Sequence, residues 1–148
     1  MKIETALIIG ASRGLGLGLA REYLARGWHV VGTVRGSART PLHELAEKAG
    51  GKLEIETVDI TEPAQTTALR DRLAKRHFDL LFVNAGISNG PAETIATVSN
   101  ETFIQVMVTN ALSPMRVVEM FEPLVPSKGA IAVMSSGLGS VADNEAGG

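Results

Sequence analysis

The sequence contains no cysteine. That absence excludes disulfides, thiolate nucleophiles and cysteine-ligated metals together. Aromatic residues are scarce, and Tyr23 is the single tyrosine. Neither sign of charge dominates: 14 basic against 16 acidic residues leave a formal net charge of −2. Without a basic field to grip a phosphate backbone, nucleic acid is not expected as a partner. Long apolar runs are missing as well. Stretches such as Leu80–Val83 fall far short of the ~20 residues a bilayer span needs, so no membrane is expected. Glu4 breaks the start of the chain before any apolar stretch forms. The N-terminus therefore does not read as a signal peptide, and a cytoplasmic location is expected. His29, His43 and His77 show neither i, i+4 nor other metal-ligand spacing, so no metal site is expected and solvent-exposed or rim positions are.

What is present is ordinary globular material. The 148 residues are 45% apolar and 20% charged, enough to build a core and close to the ~150 residues of one domain. Glycine is abundant, at 16 residues, and concentrates at 10–18 and 129–148. Short β-branched or apolar runs alternate with helical stretches. Strands are predicted at 5–9, 29–34, 53–58, 79–83 and 130–134. Helices are predicted at 14–26, from Pro41 to about Ala49, from Thr61 as N-cap to about Arg76, and from Ser99 or Asn100 to about 122. Pro114 is expected to kink the last of these or mark an irregularity. Residues 84–97 and 135–148 read as loops. The alternation predicts an α/β fold: a doubly wound parallel sheet of Rossmann type, with about five strands and right-handed crossovers.

The first strand runs into Gly10-Ala11-Ser12-Arg13-Gly14-Leu15-Gly16, and a helix follows at once. A strand, a glycine turn and a helix N-terminus together cradle a diphosphate, because glycine lets backbone approach phosphate and free N–H groups attract anions. A turn that needs glycine only for packing is the bland alternative. A Walker loop is excluded, since Leu53 follows Gly51-Lys52. A methyltransferase reading of Gly14-x-Gly16-x-Gly18 lacks the acidic residue after the second strand. The same absence bears on the cofactor. No acidic residue lies between Glu22 and Glu44, where an Asp or Glu would hold a ribose 2′-hydroxyl. Arg35 ends the second strand, and Arg13 sits in the glycine turn. Two guanidiniums suit a 2′-phosphate, which favours NADP over NAD. A solvated surface role for Arg35 is the alternative. Ser136 is in no G-x-S-x-G elbow, so a hydrolase triad has no support.

Gly10–Gly16 (GASRGLG), Asp59-Ile60, Asn84-Ala85-Gly86, Asn110 and Ser135-Ser136-x-x-Gly139 occur in that order. In this the chain resembles the short-chain dehydrogenase/reductase family over essentially its whole length, and within it the small NADP-dependent carbonyl reductases of the C-factor type. The resemblance implies hydride transfer between NADPH and a small carbonyl or alcohol substrate. It implies that Ser12, Arg13, Gly14 and Leu15, in the turn Gly10–Gly16, line the pyrophosphate and ribose. Asp59 would accept from the adenine amino group, with Ile60 beside it. Asn84, Ala85 and Gly86 would pack against the adenosine side. Asn110 would sit at an irregularity in the long helix and order a relay water, and Ser136 would hydrogen-bond the substrate carbonyl. Bland alternatives stay open: Asp59 as a helix cap, Asn84 as a turn residue, Asn110 as a surface polar group.

One part of that family pattern is absent. The family's proton donor is a Tyr in a Tyr-x-x-x-Lys pair, with the Lys one helical turn away on the same face. Here Tyr23 is on the first helix and position 27 is Gly. The family position for the Tyr falls beyond Gly148. The chain is therefore expected to be cut short of the family's C-terminal strands and helices, and to be catalytically incompetent by itself. A non-catalytic nucleotide-binding or regulatory module is the alternative. Loss of neighbours would leave 130–134 as an apolar edge and would bare Val106, Met107, Val117 or Phe121, so a homo-oligomer is expected.

Overall fold

The computed structural model describes residues 3–140 and Ala142. The elements are β1 (Thr5–Ile9), α1 (Gly14–Ala25), β2 (His29–Val34), α2 (Pro41–Lys48), β3 (Leu53–Thr57), α3 (Pro63–Arg72), β4 (Leu80–Val83), α4 (Asn100–Met107), α5 (Ser113–Phe121) and β5 (Ala130–Val133). The strands form one sheet in the order β3-β2-β1-β4-β5, and every pairing is parallel. The chain leaves β1 in one direction toward β2 and returns to its other side with β4. A crevice therefore opens beyond the carboxyl ends of β1 and β4, where the winding reverses. This is the doubly wound Rossmann-type sheet that the alternating pattern predicts.

Strict alternation in β1 feeds two cores. Leu7 and Ile9 join Leu69, Leu73, Val117 and Phe121 on one face. Ala6 and Ile8 join Leu17, Ala20, Val30 and Leu42 on the other. A strand covered on both faces needs this near-continuous apolar run. Each large side chain buried this way contributes about 1.5–3 kcal/mol. Thr40 and His43 form a capping box at the start of α2: the His43 ring accepts the Thr40 N–H at 3.1 Å. His29 opens β2, and His77 is exposed.

Three local expectations need correction, and one is met. Thr61 does not cap α3. Its N–H and hydroxyl both donate to Asp59 Oδ1, at 3.0 and 2.7 Å, and Glu62 takes the N-cap position ahead of Pro63. α3 stops at Arg72 rather than near Arg76, because the next residues close in tighter turns, Ala74 N–H to Asp71 O and Arg76 N–H to Leu73 O. The irregularity expected in the long helix is present, at Asn110 and just ahead of Pro114. Val108–Leu112 winds as a π-helix, and the Ser113 N–H reaches back five residues to Val108 O. The segment read as a loop from 135 contains a 3₁₀ turn at Gly137–Gly139, while 141 and 143–148 lie outside the described residues.

The exposure pattern is mixed. Val117 and Phe121 are buried, contrary to expectation, because α5 lays them on β4. Val106 is half-buried and Met107 is exposed. Among the described residues β5 pairs only with β4 and so forms a sheet edge. Its register sets Ile131 and Val133 beside Leu81 and Val83, yet they are 39% and 50% exposed.

Gly18 lies exposed within α1, and a Cβ there would meet no atom within 4 Å. Gly18→Ala is expected to raise stability by about 0.5–1 kcal/mol through helix propensity. Phe121→Ala is expected to lower it by about 3–5 kcal/mol. Urea denaturation midpoints check both.

Candidate functional site

The crevice beyond β1 and β4 holds a cavity of about 730 Å³. Its walls include Gly10, Ser12, Arg13, Gly14, Leu15, Arg35, Asp59, Ile60, Asn84, Ala85 and Gly86. Four separate sequence motifs thus converge on one space. Gly16, Asn110 and Ser136 are not among the lining residues.

The glycine turn is fixed by close approach. Gly10 has φ +87°, and a Cβ there would stand 2.8 Å from Ala85 Cα and N. The Gly10 N–H donates to Thr33 Oγ1 at 2.9 Å. The Gly10 carbonyl accepts from Asn84 Nδ2 at 2.7 Å. Gly16 closes over the same carbonyl, where a Cβ would stand 2.1 Å from the oxygen. Gly16 therefore lies beneath the cavity and lets α1 sit against the turn. Gly14 begins α1 with φ +57° and open space around its would-be Cβ.

Electrostatics favour an anion here. α1 has no side-chain cap and no acidic residue in its first turn. Its unpaired N–H groups and positive dipole end therefore open on the cavity at Gly14 and Leu15. Arg13 and Arg35 add two guanidiniums, and neither forms an ion pair among the described residues. Asp59 is the one acidic lining residue described, and one of its oxygens is committed to Thr61.

Asn110 acts from outside the cavity. Its Oδ1 accepts the Ile87 N–H at 2.9 Å, and its Nδ2 donates to the Ile87 carbonyl at 2.7 Å. This pairing ties the chain leaving β4 to the π-helical segment. It holds Gly86 so close that a Cβ there would stand 3.3 Å from Asn110 Oδ1. Ser136 lies beyond β5 and is exposed. Its carbonyl accepts the Gly139 N–H at 3.0 Å and so opens the 3₁₀ turn. Eight lining residues escaped the sequence reading, Thr33 and Thr109 being the buried polar ones. Thr33 is buried, binds Gly10 and lines the cavity. Its signal was a lone hydroxyl inside an apolar strand. Thr109 is also buried and lines the cavity; next to Asn110 in a helix, it carried no signal. Tyr23 is no part of the site and packs on Trp28 with ring centroids 4.8 Å apart.

The sequence matches the family model described as short chain dehydrogenase over residues 4–146. The chain belongs to this family. As a short chain dehydrogenase it is 36% identical to short-chain dehydrogenase RED3 of Pyricularia oryzae, over 95% of this chain and 59% of that protein. Its fold superposes with TM-score 0.94 on a Burkholderia multivorans protein solved with bound NADP, at 58% identity, covering 99% of this chain and 64% of that one. A carbonyl reductase from Pseudomonas aeruginosa in complex with NADP superposes with TM-score 0.90 at 37% identity, covering 95% of this chain and 62% of that one. The chain thus spans about three-fifths of the length of these relatives. Among the described residues no helix is long and apolar enough to cross a membrane.

Asn110→Ala leaves the Ile87 N–H and carbonyl without their side-chain partners. It is expected to cost about 1–3 kcal/mol and to speed hydrogen exchange at the Ile87 amide, read by NMR. Unchanged exchange at Ile87 would show that other contacts hold this loop.

Proposed function

We propose that this chain binds NADP(H) in the crevice and forms the cofactor-binding portion of a reductase acting on a small carbonyl compound, or on the alcohol in reverse. The observation that carries this reading is the meeting of Arg13, Arg35 and the uncapped start of α1 around one cavity. The cavity also fits the group sterically. Gly10 and Gly16 remove the Cβ atoms that would obstruct the turn, and the side of Gly14 is open. That relatives are solved with NADP supports the same reading.

In this reading the backbone N–H groups of Ser12, Arg13, Gly14 and Leu15 hold the pyrophosphate. Arg13 and Arg35 take the 2′-phosphate through charge-assisted hydrogen bonds. Asp59 and Ile60 meet the adenine end, and Asn84, Ala85 and Gly86 form the opposite wall. Bound NADPH would supply the hydride. Asn110 is a positioning residue that keeps the loop after β4 in place, and Ser136 would hydrogen-bond the substrate carbonyl. The 148 residues contain no Tyr-x-x-x-Lys pair, and Tyr23 is engaged with Trp28. The chain alone therefore binds but turns over negligibly. Cytoplasmic location and self-association complete the reading. Phe103, Met107, Leu112 and Met115 are exposed along α4, the π-helical segment and α5, and β5 presents an uncharged edge.

Four outcomes follow for the purified chain. NADPH is expected to raise its melting temperature more than NADH does. Arg35→Asp is expected to weaken NADPH binding by roughly tenfold or more, with little change for NADH. An equal response to both nucleotides would remove the 2′-phosphate assignment. NADPH consumption with a panel of small aldehydes and ketones should stay at background, and measurable turnover would show that a proton donor is present. In sedimentation velocity the chain is expected to associate with rising concentration, and Ile131→Lys to shift it toward monomer. A monomer at every concentration would end the oligomer reading.

A further inference from the structure

A second hollow, of about 420 Å³, adjoins the main cavity and shares Arg35, Asp59 and Thr109 with it. One of its walls is α4 and the turn that follows. Glu101, Ile104 and Val108 recur at i, i+3 and i+7 and line it together. Arg35 therefore borders two spaces, and the second contains a carboxylate from a different element. Glu101 forms no ion pair or hydrogen bond among the described residues; it stands in the first turn of α4, where the helix dipole faces it.

We propose that Glu101 is a specificity-determining residue that weakens the preference for 2′-phosphorylated over unphosphorylated nicotinamide nucleotides. The proposal rests on the NADP(H) reading above. Glu101 and Arg35 line one hollow of about 420 Å³, and a charge there is felt across it at low ionic strength, where the Debye length is ~10 Å at 0.1 M and ~30 Å at 0.01 M. Glu101 therefore acts on whatever Arg35 binds. A phosphate monoester carries about −1.5 to −2 charge at neutral pH, whereas a ribose 2′-hydroxyl carries none. The Glu101 field thus opposes one nucleotide and leaves the other nearly untouched. Ile104 and Val108 line the same wall. Asp59 has the same sign, but its carboxylate also holds the turn at Thr61. Glu101 can be neutralised without disturbing such a turn.

The test is calorimetric titration of the 148-residue chain with NADPH and with NADH, for wild type, Glu101→Gln, Glu101→Lys and Glu119→Gln. Glu119 is on α5 and lines neither space. Glu101→Gln is expected to tighten NADPH about two- to fivefold and leave NADH nearly unchanged, as for the removal of one exposed like charge. Glu101→Lys should tighten NADPH further. Both gains should shrink in high salt. An unchanged NADPH/NADH ratio in Glu101→Gln and Glu101→Lys, equal tightening of both nucleotides, or the same gain in Glu119→Gln would overturn the proposal while leaving NADP(H) binding intact. A wild-type chain that binds neither nucleotide would overturn both.

Discussion

Asn84 donates its side-chain amide to the Gly10 carbonyl across 74 positions of sequence, and Gly16 closes over the same oxygen with no room for a methyl group. These contacts join the end of β1, the first turn of α1 and the end of β4. With the carbonyl occupied, the turn from β1 into α1 has one way to run, and the helix start is held at the crevice. The Thr33 hydroxyl secures the Gly10 N–H from the other side. Both backbone groups of one glycine are thus satisfied by side chains from the strands that flank β1. The open helix end, the arginines and the loop after β4 are placed by this arrangement.

The overall charge of the chain gives no hint of the field in the crevice. A net charge of −2 suggests indifference to anions, yet two guanidiniums and a helix N-terminus meet there against a single described carboxylate. Fields in a cleft depend on which charges are brought together, and the wall between them limits screening. Other acidic residues lie in surface pairs such as Glu22–Arg26 and Glu47–Arg39. Such exposed pairs contribute little to stability.

The strands were the most legible part of the sequence. Buried parallel strands need apolar runs such as Thr5–Ile9 and Leu80–Val83, and the punctuation around them is strong. Helix ends were less so. Thr61 looked like a cap and became the partner of Asp59, because an Asp two residues earlier offered its hydroxyl a closer acceptor. The walls of the site were legible where motifs adjoin strand ends, as at Gly10–Leu15, Asp59-Ile60 and Asn84–Gly86. Gly16 and Asn110 carried motif signals, but they act by packing and pairing one layer behind the cavity. Thr109 and the hollow beneath α4 were invisible, since they arise only when distant elements come together. The burial of Val117 and Phe121 ran against expectation because their cover comes from the sheet itself, at Leu81 and Val83, and not from the neighbours expected to be lost.

That helix face is broken by the π-helical segment Val108–Leu112. Each residue of an α-helix advances by about 100°, so one extra residue per turn slips the phase of everything that follows by about that angle. The slip turns the second half about the axis relative to the first. Glu101, Ile104 and Val108 line the hollow, and Val117 and Phe121 pack on the sheet. A single stretch of helix thereby carries two sets of instructions.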